Sequence, residues 1–135
     1  MAKYLALDVG EKRVGVALAD DNVKIAIPYD TLQVDGTELE SIAKLSELEK
    51  ADVIVVGYPR NQSGEPTQQT QFTEEFIAKL PIELAGKVVY QDESVTSIQA
   101  EQHLKSQKQP YTKEDIDKVA ASIILQDYLE AHGRI

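Results

Sequence analysis

Tyr4 to Val9 is an apolar run broken by one acid, Asp8, and a second apolar run covers Val14 to Ala19. Between them, Gly10-Glu11-Lys12-Arg13 turns the chain. The pattern predicts two antiparallel strands joined by a tight turn. The first run has almost no polar alternation, which marks a central strand covered on both faces. A carboxylate in such a strand is costly unless a metal, a cation or hydrogen bonds compensate it. Asp8 is therefore the first functional candidate. The alternative is a strand-end residue that caps the Gly10 turn.

Further on, Lys24 to Ile27 predicts a short third strand, entered through Asp20-Asp21-Asn22 and stopped by Pro28. Thr37 and Glu40 form a Thr-x-x-Glu capping box. Leu39, Ile42, Leu45 and Leu48 keep helical spacing, so 38–50 is an amphipathic helix. Ala51 to Gly57 is continuously apolar and reads as a buried parallel strand, followed by a polar loop, Tyr58 to Pro66. Thr67 caps a helix with Phe72, Phe76, Ile77 and Leu80 on its apolar face, stopped by Pro81. Val88 to Tyr90 is a strand ending in Asp92-Glu93, and Thr96 with Gln99 opens a helix through Ser106. Gln107 to Tyr111 is a polar connector. Thr112 with Asp115 caps the last helix, whose core face is Ile116, Val119, Ala120, Ile123, Ile124 and Leu129. The order predicts an α/β fold: a mixed five-stranded sheet, antiparallel first and then parallel, with helices on both faces. Right-handed crossovers put the carboxyl ends of strands 51–57 and 88–91 at one edge, the ligand side of such sheets.

A chain of 135 residues is expected to be a single domain, 1–135, with a real core. With no cysteine, it has neither disulfides nor a zinc–thiolate site. Its two histidines, His103 and His132, lie far apart on predicted helices, which argues against a histidine metal site or catalytic triad. No signal peptide or long apolar run is present, so a cytoplasmic location and no membrane partner are expected. The net charge of −9 argues against non-specific nucleic-acid binding. Lys12, Arg13 and Arg60 near the predicted site loops, and His103, Lys105, Lys108, Lys113 and Lys118 later, would have to steer any polyanion.

Asp8 lies in the central strand, Asp92 and Glu93 leave a neighbouring one, and Asp117 lies in the first turns of the last helix. There the helix dipole favours an anion. If that helix crosses the sheet near the first strand, these carboxylates converge, and all can ionise only if a cation joins them. Oxygen-only ligation suits Mg²⁺ or Mn²⁺, one ion or two. Two such ions about 4 Å apart could activate a water and stabilise the leaving oxygen in phosphodiester hydrolysis. Taken singly, Asp92 and Glu93 also read as a solvated turn, and Asp117 as a helix-start charge. The loop GYPRNQSGEP adds Arg60, Asn61 and Ser63 as donors to an anion, on a path set by Gly57, Gly64 and two prolines.

Together, LDVGEKRVGVALAD at 7–20, VVGYPRNQSGEPTQQT at 55–70, QDESVTS at 91–97 and IDKVAASIILQDYL at 116–129 resemble the YqgF family, also called RuvX, over essentially the whole length. The resemblance implies an RNase H-like fold and a nuclease-like acidic site. Members are considered Holliday-junction resolvases by fold similarity to RuvC, and are implicated in maturing the 5′ end of the 16S rRNA precursor. By motif, Asp8, Glu93 and Asp117 would be the metal-binding catalytic acids, with Asp92 beside them. Gly10, Arg13 and Gly15 would shape the hairpin. The family reads Asp-Glu-Arg after this strand, whereas Ser94 follows Glu93 here. Contact to a substrate phosphate would then be weakened, or supplied by Arg60 or Lys118; Lys12 and Arg13 are further candidate substrate contacts.

Three function classes follow. The first is a metal-dependent nuclease acting on structured RNA, the rRNA precursor, or on junction DNA; a ribosomal or protein partner could present the RNA. A resolvase would need a homodimer, because two strands are cut symmetrically. An RNA nuclease could be a monomer. The second is a regulatory module with a silent site, acting on ribosome or transcription complexes. The third is a sugar-kinase-like phosphotransferase, whose Asp-x-Gly loop resembles DVGEKRVGVAL; length argues against it, since such enzymes close two domains around ATP.

Overall fold

The computed structural model describes residues 2–22, 24–59, 67–93 and 96–132; at Pro59, Glu93, Thr96, Ser97, Ile98 and His132 it describes the backbone alone. The strands are β1 (Lys3–Val9), β2 (Arg13–Asp20), β3 (Ile27–Gln33), β4 (Val53–Pro59) and β5 (Val88–Glu93). The helices are α1 (Glu38–Glu49), α2 (Gln68–Ala78), the single turn α3 (Ile82–Ala85), α4 (Thr96–Ser106) and α5 (Lys113–His132). Among the described residues no helix is long and apolar enough to cross a membrane.

The sheet order is β3-β2-β1-β4-β5, so the strand that carries Asp8 is central, as its unbroken apolar run requires. β1 pairs antiparallel with β2 and parallel with β4; β3 and β5 are the edges. Strand alternation divides the core in two. Leu5, Leu7, Val9, Val14, Val16, Ile54 and Val56 pack under Ile42 of α1 and under Phe76 and Ile77 of α2. On the other face, Ala6, Ala17 and Val55 meet Ala121, Ile124, Leu125 and Leu129 of α5. Two alanines at that contact let α5 lie close to the sheet. Val119 and Ala120, from another side of α5, pack with Ala100 of α4.

Two local expectations need correction. The third strand is not Lys24–Ile27; it begins at Ile27 and runs through Pro28 to Gln33. Pro28 sits opposite Ala17 beside a register shift between Val16 and Ala17. An edge strand at an irregularity tolerates a residue without an N–H, so this proline does not stop the strand. Lys24 lies before it with φ 59°, outside any strand. The Thr37–Glu40 capping box does not form: Thr37 makes no side-chain cap. Asp35 Oδ1 instead accepts from the Thr37 N–H at 3.0 Å and its hydroxyl at 2.6 Å, while Glu38 Oε1 accepts from the Gly36 N–H at 2.8 Å. A carboxylate two residues upstream outcompetes the helix for the hydroxyl.

The Thr112–Asp115 box and the Thr67 cap form as their sequences predict. Asp115 Oδ2 accepts from the Thr112 N–H at 2.9 Å, and the Thr112 hydroxyl accepts from the Asp115 N–H at 3.3 Å. Thr67 caps α2, with Thr70 rather than an acid returning the bond. The Thr96 side chain lies outside the described residues.

Candidate functional site

Asp8 sits directly across from Gly15 in the β1–β2 ladder. By alternation both positions share the α5 face with Ala6 and Ala17. Gly15 is where α5 comes down on the sheet: a Cβ there would lie 2.0 Å from the Asp117 carbonyl oxygen and 2.4 Å from its carbon. Only glycine allows this approach, since the obstructing atoms are backbone. The half-buried Asp8 and the first turns of α5 thus meet at one rim of the sheet. This is the crossing that the acidic residues required.

The α5 start is fastened on three sides. Besides the backbone contact at Gly15, the Thr31 hydroxyl of β3 donates to the Glu114 carbonyl at 2.6 Å. Arg13 Nε meets Asp117 Oδ2 at 2.5 Å, joining the first residue of β2 to the helix; the two side chains are 23% and 21% exposed. The Asp117 carboxylate pushes the Arg13 pKa up, against the opposing effect of burial. Arg13, read from sequence as a hairpin and substrate residue, is thus the counter-charge of a candidate catalytic acid.

Beside this pair lies a cavity of about 270 Å³ lined by Gly10, Glu11, Lys12, Arg13, Gln69 and Asp117. Its floor is the β1–β2 turn, closed by Gly10 N–H donating to the Arg13 carbonyl at 3.0 Å. A Cβ on Gly10 would fall 2.7 Å from that oxygen. Lys12 is exposed. Gln69 Nε2 reaches from the first turn of α2 to the Val9 carbonyl at 3.0 Å. Sequence reasoning passed over Gln69 and Thr31; the one available signal was that Gln69 follows the Thr67 cap by two residues.

On the far side of β4, Pro59 pairs with Glu93 and Tyr58 with Asp92. Val55 and Val89 pack on the α5 face, so alternation gives that face the register positions of the buried Gly57, of Gln91 and of Glu93. Asp92 takes the opposite face, shared with Tyr58 and Tyr90, whose rings meet edge-on at 4.9 Å, and it is exposed. Lys118 stands 3.5 Å from Asp115, whose carboxyl is held below the usual range first by the Thr112 N–H and further by this lysine. Arg60, Asn61, Ser63, Gly64 and Ser94, and the Glu93 side chain, lie outside the described residues. Among the described residues no three carboxylates or histidines form a metal-holding group. The two acids at the rim, Asp8 and Asp117, offer oxygen donors alone, a set that fits a hard divalent cation.

Two Thermus thermophilus RuvC structures, one in complex with a Holliday junction substrate, superpose with TM-scores of 0.59 and 0.53. They are 12% and 10% identical and cover 99% and 97% of this chain, and 98% and 96% of their own, which establishes an RNase H-like fold. A Chloroflexus aurantiacus protein named "Putative pre-16S rRNA nuclease" is 41% identical over 94% of this chain and 86% of its own. One of the same name from Lactococcus lactis subsp. cremoris is 35% identical over 98% and 96%. The model of the RuvX family, described as Holliday junction resolvase, matches residues 2–131. With a match that runs from before β1 into the last turn of α5, the chain belongs to the RuvX family.

Proposed function

We propose that this chain is a divalent-metal-dependent nuclease that hydrolyses phosphodiester bonds in structured RNA, with the 16S rRNA precursor as its substrate. The observation that carries this reading is the Gly15 crossing, which brings an acid of the central strand and an acid of α5 to one rim. The RNA assignment is supported by relatives at 41% and 35% identity named for the 16S precursor. Asp8, Glu93 and Asp117 would hold Mg²⁺ or Mn²⁺, and Asp92, on the other face of the sheet, stands apart from them. The cation, when bound, supplies a water of lowered pKa and charge stabilisation at the leaving oxygen.

The residues of the chain divide the remaining work by position. The central strand fixes the backbone of Asp8 opposite Gly15, at the rim where α5 arrives. Asp117 is held in place by the Gly15 contact and the Thr31–Glu114 bond. Lys12 and Arg13 line the adjoining cavity and offer cations to a phosphate. Arg60, Asn61, Ser63 and Lys118 are further substrate contacts in this reading. A surface with net charge −9 gives little general attraction for RNA, so a ribosomal or protein partner would help present it.

Junction DNA is the second reading, favoured by the description of the family. Labelled rRNA precursor and a four-way DNA junction, incubated with Mn²⁺ and the protein side by side, distinguish them. Cutting of the RNA, lost in Asp8→Asn and Glu93→Gln, is the expected result. Junction cutting alone would give the substrate to DNA. Cutting of neither, by protein that does not bind Mn²⁺, would leave a silent regulatory module.

A further inference from the structure

Asp117 is needed for metal in the reading above, yet its Oδ2 already carries a positive partner, Arg13 Nε. We propose that Arg13 is a counter-ion latch: its guanidinium neutralises Asp117 in the metal-free protein, yields that carboxylate to a divalent cation, and passes to a substrate phosphate over the β1–β2 turn. The proposal rests on the metal reading of the site and deepens it.

Three features support the exchange. First, Asp117 is fixed and Arg13 is not fixed to the same degree. The helix backbone at Asp117 abuts Gly15, and Thr31 grips the preceding turn. Arg13 in contrast reaches Asp117 from the end of a strand by a long, flexible side chain. Second, there is room to move, because the cavity of about 270 Å³ that both residues line opens directly beside them. Third, the pair is about one-fifth exposed. Such a pair is strong enough to persist without metal and weak enough for a divalent ion to replace. The released guanidinium would supply a cation at a site where Ser94 follows Glu93. Its planar fork suits a phosphate, as it suits a carboxylate.

A permanent strut between β2 and α5 would look the same in a static structure, but it would respond differently to substitution. Mn²⁺ binding by calorimetry, without nucleic acid, separates the two. Arg13→Gln should bind Mn²⁺ about three- to tenfold more tightly than the unmodified chain, the range expected for removing one partly exposed competing pair. Lys12→Gln removes an equal charge from the same cavity without touching Asp117, and should change the affinity less than twofold. In an Asp117→Asn background, Arg13→Gln should add nothing. Equal affinities in the unmodified chain and Arg13→Gln, or equal gains in Arg13→Gln and Lys12→Gln, would overturn the latch alone. Absence of Mn²⁺ binding in every folded variant would overturn the metal reading and the latch with it. If Arg13→Gln does not melt cooperatively, Arg13→Lys carries the same comparison, with a smaller gain expected. The second half of the exchange is read in EDTA with a short single-stranded RNA. Asp117→Asn should strengthen its binding, and most of that gain should vanish when Arg13→Gln is added. A gain of the same size with and without Arg13 would overturn the transfer to phosphate.

Discussion

A methyl group on Gly15 would lie 2.0 Å from the carbonyl oxygen of Asp117, closer than non-bonded atoms can approach. Gly15 therefore decides how near α5 sits to the sheet, and through that where Asp117 stands relative to Asp8. Gly15→Ala is expected to push the helix start outward and cost about 3 kcal/mol. Urea denaturation would show this as a lower midpoint with an unchanged slope. Gly86→Ala is the control, since nothing lies within 4 Å of a Cβ there and its φ is −72°. That change should be neutral or slightly stabilising.

Asp8→Asn should fold as the unmodified chain does, because Asp8 is half-buried and the amide is nearly isosteric. What it should lose is the response to metal. Ligand bound only by the folded state stabilises it by RT ln(1 + [L]/Kd). At ten times Kd that is about 1.4 kcal/mol, or roughly a 5 °C rise in Tm for a domain of this size. Thermal melts with and without Mn²⁺ should show the rise in the unmodified chain and most of it gone in Asp8→Asn. An undiminished rise in the variant would remove Asp8 from the site.

Acid should unfold the protein through carboxylates that serve as hydrogen-bond acceptors. Asp115 is held below its usual range by the Thr112 N–H first, Asp35 by the Thr37 hydroxyl first, and Asp21 by the Ala2 N–H first. In each case the folded pKa lies below the unfolded one. The stability they add is complete above the unfolded value, about 3.9, and is lost as pH falls through the folded values. Tm should thus be flat from pH 7 to about 5 as far as these groups are concerned, and fall below about pH 4. Asp115→Asn should start lower at neutral pH and fall less steeply in acid.

The parts of this fold that sequence made legible are those set by neighbours in the chain. The run around Asp8 foretold a central strand, and Thr112 with Asp115 foretold the α5 cap, because both depend on residues within one turn or one strand. Pro28 misled because its effect depends on whether its strand is an edge, which only the sheet order decides. Thr37 misled because Asp35 competes for its hydroxyl, two residues outside the Thr-x-x-Glu pattern. In the site, the spacing of the acids was visible, but their pairing was not. Arg13 and Asp117 are 104 positions apart, and no local pattern links them. Thr31 and Glu114, 83 apart, are equally invisible to periodicity.

Gln69 gives a last expectation, about how α2 is tied to the central strand. The parallel ladder between β1 and β4 ends at Leu7 and Val56. Beyond it, the Val9 carbonyl accepts from Gln69 Nε2 at 3.0 Å, so a side chain of α2 continues where the ladder stops. Gln69→Ala removes that donor at the edge of the cavity, where water can replace it, and should cost only about 1 kcal/mol. Gln69→Glu is the sharper probe. It sets a carboxylate against a carbonyl oxygen and adds negative charge to a cavity that Asp117 already lines. It should destabilise more than Gln69→Ala at pH 7, and the difference should shrink as pH falls toward 4 and the new acid is protonated. Equal stabilities for the two variants across that range would mean that Gln69 does not hold the end of β1.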